Sequence, residues 1–331
     1  MLKNISEKFL PELLKREFGK EIFAPLDQHQ HLHIKGNAGS SPAIYAAEIF
    51  LSRQKTVLFL LDDKEEALYA STEMDDLVGK ENVLYFPATH LEPYQIEKTQ
   101  NANLVLRTEA LNIINSGKSP KVIVAYIGAL VEKVLKKEDF SAISHQIKAG
   151  DRLDFDFVDE LLSHYQFQQT DFVSEPGEFS VRGGIVDVFS YANEKPYRVT
   201  FFGNEVESIK TFDIETQLSV DKVDSFQLVS NMNEATAAKR VSLFQLLPKD
   251  SFVVAKNVKT GLEKVKSFYE KSSEKFEQLS KDIAHLTPQE LFISDEEFLF
   301  DFKKFKTLDF SNTGFLKKEA EEVRISQLPQ P

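Results

Sequence analysis

Apolar side chains recur at helical spacing at the start of the chain, where Leu2, Ile5, Phe9, Leu10, Leu13 and Leu14 predict an amphipathic helix. A short apolar alternation ending at Ile34 follows. Next come a loop, Gly36-Asn37-Ala38-Gly39-Ser40-Ser41-Pro42, and a helix beginning near Ala43. Val57–Leu61 is a continuous apolar run, the pattern of a strand buried on both faces of a parallel sheet. It ends in Asp62-Asp63, side chains suited to cap the acidic helix after them. Val83–Phe86 and Val122–Tyr126 repeat the strand pattern, and 104–114 and 127–135 carry helical periods. This alternation predicts a doubly wound α/β domain over residues 1–136.

The pattern changes near Lys137. Over 179–209 the chain shows two hairpins and no helical period, which predicts a small α+β, hairpin-rich insert over 137–224. The first hairpin turns at Gly183-Gly184, a pair suited to a two-residue type I′ turn. That turn pairs Arg182 with Ile185, Val181 with Val186, Ser180 with Asp187 and Phe179 with Val188. Phe179, Val181, Val186 and Val188 then face a core, while Ser180, Arg182, Ile185, Asp187 and Phe189 share the other face. The second hairpin turns at Gly203-Asn204, with Val199, Phe201 and Val206 inward, Arg198 outward and Glu207 opposite Thr200. From about residue 225 the helical period returns, strongest over 262–286. Residues 225–331 are expected to complete the first domain and to end in a polar linker, Gln327-Leu328-Pro329-Gln330-Pro331.

Composition narrows the function classes. The 331 residues carry 40 Lys and Arg against 52 Asp and Glu, a net charge of −12 that disfavours a free-standing nucleic-acid binder. The insert alone has eight basic and 18 acidic residues, so nearly all the net charge sits there and a protein partner suits it better. With no cysteine, disulfides, thiol catalysis and cysteine-containing zinc sites are excluded. No apolar run reaches the ~20 residues of a membrane span, and a cytoplasmic protein without a membrane partner is expected.

Candidate chemistry is sparse. The loop from Gly36 through Gly39 stands where a phosphate-binding loop belongs, between a strand and a helix. Phosphate binding requires Gly-Lys-Ser/Thr at its end, because the lysine neutralises phosphate charge and the hydroxyl holds Mg²⁺. Ser41, Pro42 and Ala43 occupy those places, so the loop reads as degenerate. His29, His31 and His33 alternate and would share one face of a strand. A partly exposed strand or loop accounts for them, and no metal site is expected. Asp62-Asp63 and Asp75-Asp76 read as caps and solvated charge rather than acid–base pairs. On the first hairpin, Phe189 and Arg182 on the polar face have the composition of a binding hot spot. The pattern equally allows a covered Phe189 and an Arg182 merely paired with Asp187.

The stretch Pro176-Gly177-Glu178-Phe179-Ser180-Val181-Arg182-Gly183-Gly184-Ile185-Val186-Asp187-Val188-Phe189 is distinctive. With Pro196-Tyr197-Arg198-Val199-Thr200-Phe201-Phe202-Gly203-Asn204-Glu205-Val206-Glu207-Ser208-Ile209 and Phe212-Asp213, it closely resembles the N-terminal module of the bacterial transcription-repair coupling factors. These are related to the excision-repair subunit UvrB. The resemblance covers essentially the whole chain, is strongest over 165–219, and extends to Tyr85-Phe86-Pro87 and Glu92-Pro93-Tyr94. It implies a degenerate helicase-like (RecA-like) parallel-sheet domain interrupted by an inserted UvrA-binding domain.

The implied function is to bring UvrA, and with it nucleotide excision repair, to RNA polymerase stalled at DNA damage. Arg182 and Phe189 match positions the family associates with UvrA. Ser180 and Asp187 share their hairpin face, and Gln168-Gln169 stand where the family commonly has an arginine. Ser190 for a usual proline and Leu218 for a usual arginine read as structural departures. Two losses argue against an ATPase in this stretch, Ser41-Pro42-Ala43 at the phosphate loop and Lys256-Asn257 after Phe252–Ala255 where related chains often have an acidic pair, and too few residues stand between Pro93 and Gln100 for a DNA-probing hairpin. No catalytic residue, metal or cofactor is therefore expected here. The ATP- and Mg²⁺-dependent translocase, with the polymerase and DNA contacts, would lie downstream in a longer protein. Two alternatives are an intramolecular regulatory clamp against the protein's own C-terminal domains and a weak damaged-DNA-binding module.

Overall fold

The computed structural model describes residues 18–35, 41–89, 93–94, 101–191, 193–230, 239–279, 286–311, 316 and 320–324. The helix expected over 2–14, the segment 95–100 and the expected terminal linker lie outside them. The chain divides into two units, one of residues 1–96, 116–134 and 241–331, the other of 97–115 and 135–240.

The first unit is built on a parallel sheet. In chain order its strands are β1 (His31–Lys35), β2 (Val57–Leu61), β3 (Val83–Phe86) and β4 (Val122–Tyr126). A two-residue β5 (Val134–Leu135) closes this first part. Every residue of β2 and β4 is buried, as their unbroken apolar runs require. Burying each Val or Leu side chain in such a layer contributes about 2 kcal/mol. Asp63 caps the helix Lys64–Val78, its carboxylate accepting from the Glu66 amide at 2.9 Å.

The second unit contains β6 (Ser144–Lys148), β7 (Gln168–Gln169), β8 (Glu178–Arg182) and β9 (Ile185–Val188). They are followed by β10 (Tyr197–Phe202), β11 (Glu205–Phe212), β12 (Ser219–Val223), β13 (Ser225–Val229) and a short β14 (Arg240–Val241). Six strands form one sheet in the order β12-β11-β10-β9-β8-β7, and β6 pairs with β13 in a separate ribbon. The β8–β9 register is the one the Gly-Gly turn predicts: Phe179 opposite Val188, Ser180 opposite Asp187, Val181 opposite Val186 and Arg182 opposite Ile185. Of the two turn glycines only Gly183 has a positive φ, 59°, so the turn is not the type I′ expected, which needs a positive φ at both. The inner face of the sheet packs Phe179, Val186 and Val199 against Val158 and Leu162 of the helix Phe155–His164 and against Phe226 and Leu228 of β13.

The second hairpin departs from expectation. A β-bulge shifts the register between Thr200 and Phe201, so Thr200 faces Ser208 and not Glu207. One extra residue in β11 removes Glu207 from the ladder. The end of the insert also differs, because β13 pairs Ser225 to Val229 with Lys148 to Ser144 and thereby stays in the second unit past the expected 224. The helix Asn101–Ser116, expected in the first domain, groups almost entirely with the second unit.

The chain then returns to the first unit with β15 (Phe252–Ala255), β16 (Lys306–Asp309) and β17 (Glu321–Arg324). The completed sheet has the order β17-β1-β16-β15-β2-β4-β3, and all of its recorded pairings are parallel. Residues far apart in sequence thus fill the middle of one sheet, with β15 lying between β16 and β2.

Candidate functional site

The face of the six-stranded sheet opposite its core is organised around one buried carboxylate. Asp187 has a fully buried residue surface, and Arg198 on β10 lies directly across from it in register. The Arg198 guanidinium donates to both carboxylate oxygens, Nε to Oδ1 at 2.7 Å and Nη2 to Oδ2 at 2.8 Å, and its Nη1 reaches the Gln217 carbonyl at 3.1 Å. The hydrogen bond to Asp187 raises the arginine's pKa further above its ordinary value. Arg182 reaches Oδ2 from the other side at 2.5 Å. A buried carboxylate needs such partners, because an isolated charge out of water is strongly disfavoured. Each guanidinium also lies over an aromatic ring, Arg198 at 4.9 Å from the centre of Phe212 and Arg182 at 5.6 Å from that of Phe172.

The two arginines differ in access. The Arg182 side chain is 45% exposed and Phe172 is 63% exposed, whereas Arg198 is mostly covered. Arg182 and Phe172 together therefore present a cation on an aromatic ring, held at its base by an anion that water does not reach.

Phe189 corrects the outward reading. It is 7% exposed and packs with Val173 and Phe212 under the loop that precedes β8. That loop is latched in several places. The Ser180 hydroxyl donates to the Asp171 carbonyl at 3.2 Å, the Gln217 amide to the Val173 carbonyl at 3.2 Å, and one Glu178 oxygen accepts from the Ser174 and Glu175 amides at 2.8 and 2.9 Å. Ser180 is likewise buried. Gln168 and Gln169 are exposed on the short strand β7, which pairs parallel to β8. Ser190 is structural as expected: its hydroxyl donates to the Gln227 carbonyl at 2.8 Å and accepts from the Val229 amide at 2.9 Å. Leu218, expected to be structural, is instead 67% exposed. Sequence reading missed Phe172, whose loop has no period to mark it.

In the first unit, Gly36 and Gly39 lie outside the described residues. Ser41 opens the helix Ser41–Arg53, and Pro42 and Ala43 are buried in it. At the carboxyl ends of β2 and β15, Lys256 forms an ion pair with Glu66, and the Asn257 side-chain amide donates to Asp62. His31 and His33 are buried in β1, which corrects the partly exposed strand expected for them. Each has a structural partner, His31 Nδ1 with the Thr307 hydroxyl at 2.9 Å and His33 Nε2 with the Ser311 carbonyl at 2.7 Å. Among the described residues no three His, Asp or Glu side chains converge as a metal site would need, and no helix is long and apolar enough to cross a membrane.

Residues 146–233 match the family described as the UvrB interaction domain. The chain is 25% identical over 195 residues to the transcription-repair-coupling factor of Bacillus subtilis, covering 59% of this chain and 16% of that protein. It is 25% identical over 228 residues to the namesake of Haemophilus influenzae, covering 69% and 20%. Against that of Myxococcus xanthus it is 28% identical over 215 residues, covering 63% and 18%. The matched region thus spans less than a quarter of any of these relatives.

Proposed function

We propose that this chain, a UvrB-interaction-type domain carried on a helicase-like α/β unit and homologous to transcription-repair coupling factors, recruits UvrA through the corner formed by Arg182 and Phe172. The observation that carries this reading is the exposed Arg182–Phe172 pair anchored on buried Asp187. An arginine and an aromatic ring fixed in place lose little conformational entropy on binding, which is the property of interface hot spots. Gln168, exposed on the strand beside β8 and in register with Glu178, lies on the same face of the sheet as Arg182, whereas Gln169, in register with Phe179, lies on the other. Within a longer coupling factor, that docking would deliver excision repair to RNA polymerase halted at a lesion in the bacterial cytoplasm. Polymerase and DNA would be engaged by parts beyond this stretch.

The role of this stretch is binding, without nucleotide hydrolysis and without a cofactor. Ser41, Pro42 and Ala43 offer no phosphate-binding lysine, and the Lys256–Glu66 and Asn257–Asp62 contacts engage polar groups at the strand ends. Titrating purified UvrA into the chain by calorimetry tests the docking. Arg182→Ala and Phe172→Ala are each expected to weaken binding by about 2 kcal/mol. Unchanged affinity in both variants would move the interface elsewhere on the insert, and no binding to the unaltered chain would overturn the recruitment reading.

A further inference from the structure

At the amino ends of its parallel strands the first unit has a cleft of about 730 Å³. Three turns and two helix ends converge there. The end of the helix Ser41–Arg53 contributes Arg53 and the turn after it Lys55, the turn before β15 contributes Lys249, Asp250 and Ser251, and Lys304 and Lys306 lie before and at the start of β16. The end of the helix Phe18–Gln28 adds Asp27 and His29. Five lysine and arginine side chains therefore line the cleft against two carboxylates, in a chain whose overall charge is −12.

Some of this charge has partners. Arg53 pairs with Asp27 at 2.9 Å, Lys55 with Asp250 at 2.5 Å, and Lys304 with Asp301 at 2.6 Å. Lys306 Nζ donates to the Leu26 carbonyl at 2.6 Å, and among the described residues no carboxylate pairs with its charge. Lys249 is exposed at the rim and forms no recorded ion pair among the described residues. Beside it Ser251 is 1% exposed, and its hydroxyl has no hydrogen-bond partner among the described residues. A buried hydroxyl left unpaired in a cleft wall is unusual, because buried polar groups nearly always have a partner. Concave walls of low dielectric focus the field of the unbalanced cations, and the volume suits a small molecule.

We propose that this cleft is a binding site for a small phosphorylated anion, with Lys249 and Lys306 facing its charge and Ser251 offering a hydroxyl. The site is independent of the UvrA reading, because it lies wholly in the other unit.

The test uses inorganic pyrophosphate as probe, titrated calorimetrically into the full chain at fixed ionic strength. One-to-one binding is expected, weakened at least tenfold by Lys249→Glu and about threefold by Ser251→Ala, with the ligand-free melting temperature of Lys249→Glu unchanged. Absence of binding, or equal affinity in both variants, overturns the site. A parallel titration with a thymidine oligonucleotide separates the phosphate sources. If the oligonucleotide binds here and pyrophosphate cannot displace it, the ligand is a nucleic-acid backbone and the small-molecule assignment fails.

Discussion

Asp187 shows how one side chain sets the properties of a surface. Both of its oxygens are committed to arginines, so Asp187→Asn removes the charge that both guanidiniums face. The expected loss is about 3 kcal/mol of stability in urea unfolding. Arg182→Ala should cost far less, because Arg198 still holds the carboxylate at both oxygens. A large loss for Arg182→Ala would make that residue structural and weaken its assignment to docking. Glu48 offers a second test at this scale. It is buried in the helix Ser41–Arg53, and burial raises its pKa to about 7. Its folded pKa therefore lies above its unfolded one near 4.5, and folding takes up a proton between them. Stability is full below pH 4.5 and falls as pH rises through 7, by up to about 3 kcal/mol for this group. Glu48→Gln should abolish that part of the pH dependence, as melting temperatures from pH 4.5 to 8 would show.

At the scale of elements, two glycines distinguish backbone strain from packing. Gly177 and Gly183 both have positive φ, 91° and 59°. A methyl group at Gly183 would meet nothing within 4 Å, whereas at Gly177 it would run into the Tyr191 hydroxyl. Gly183→Ala is expected to cost about 1 kcal/mol, the backbone penalty alone. Gly177→Ala should cost at least twice that in the same urea titration, since Tyr191 must also move. The first hairpin was legible because a two-residue turn and period-two alternation determine register together. The second was only partly legible, since nothing local to Glu207 announces a bulge. Similarly, the unbroken apolar runs marked β2 and β4 as buried strands, but their order in the sheet was not visible in either of them.

For the whole molecule, a chain of net charge −12 with its acid concentrated in the insert should bind DNA poorly by itself. Fluorescence anisotropy with a short duplex at about 150 mM salt is expected to show no binding tighter than ~10 μM. Tight, steeply salt-dependent binding would favour the damaged-DNA alternative. The division into two units also bounds what local patterns can say. The return of the chain after the insert to place β15 and β16 inside the first sheet joins residues about two hundred apart, as in the Phe252–Val57 pairing.

What the amino-acid sequence determined by itself were the properties carried by neighbours along the chain: periodicity, turn chemistry, capping by Asp63, the hairpin register at Gly183-Gly184 and the distinctive stretch around it. Exposure belonged to tertiary structure. Alternation assigned Phe189 and Arg182 to one face, yet the loop 170–175 covers the first and leaves the second open beside Phe172. Arg198 became the partner of Asp187 only when β10 paired with β9, and the cationic cleft exists only because separate turns meet at the amino ends of neighbouring strands. Strand faces follow from a two-residue repeat, whereas covering a face or assembling a cleft depends on segments whose distance along the chain conceals their proximity in space.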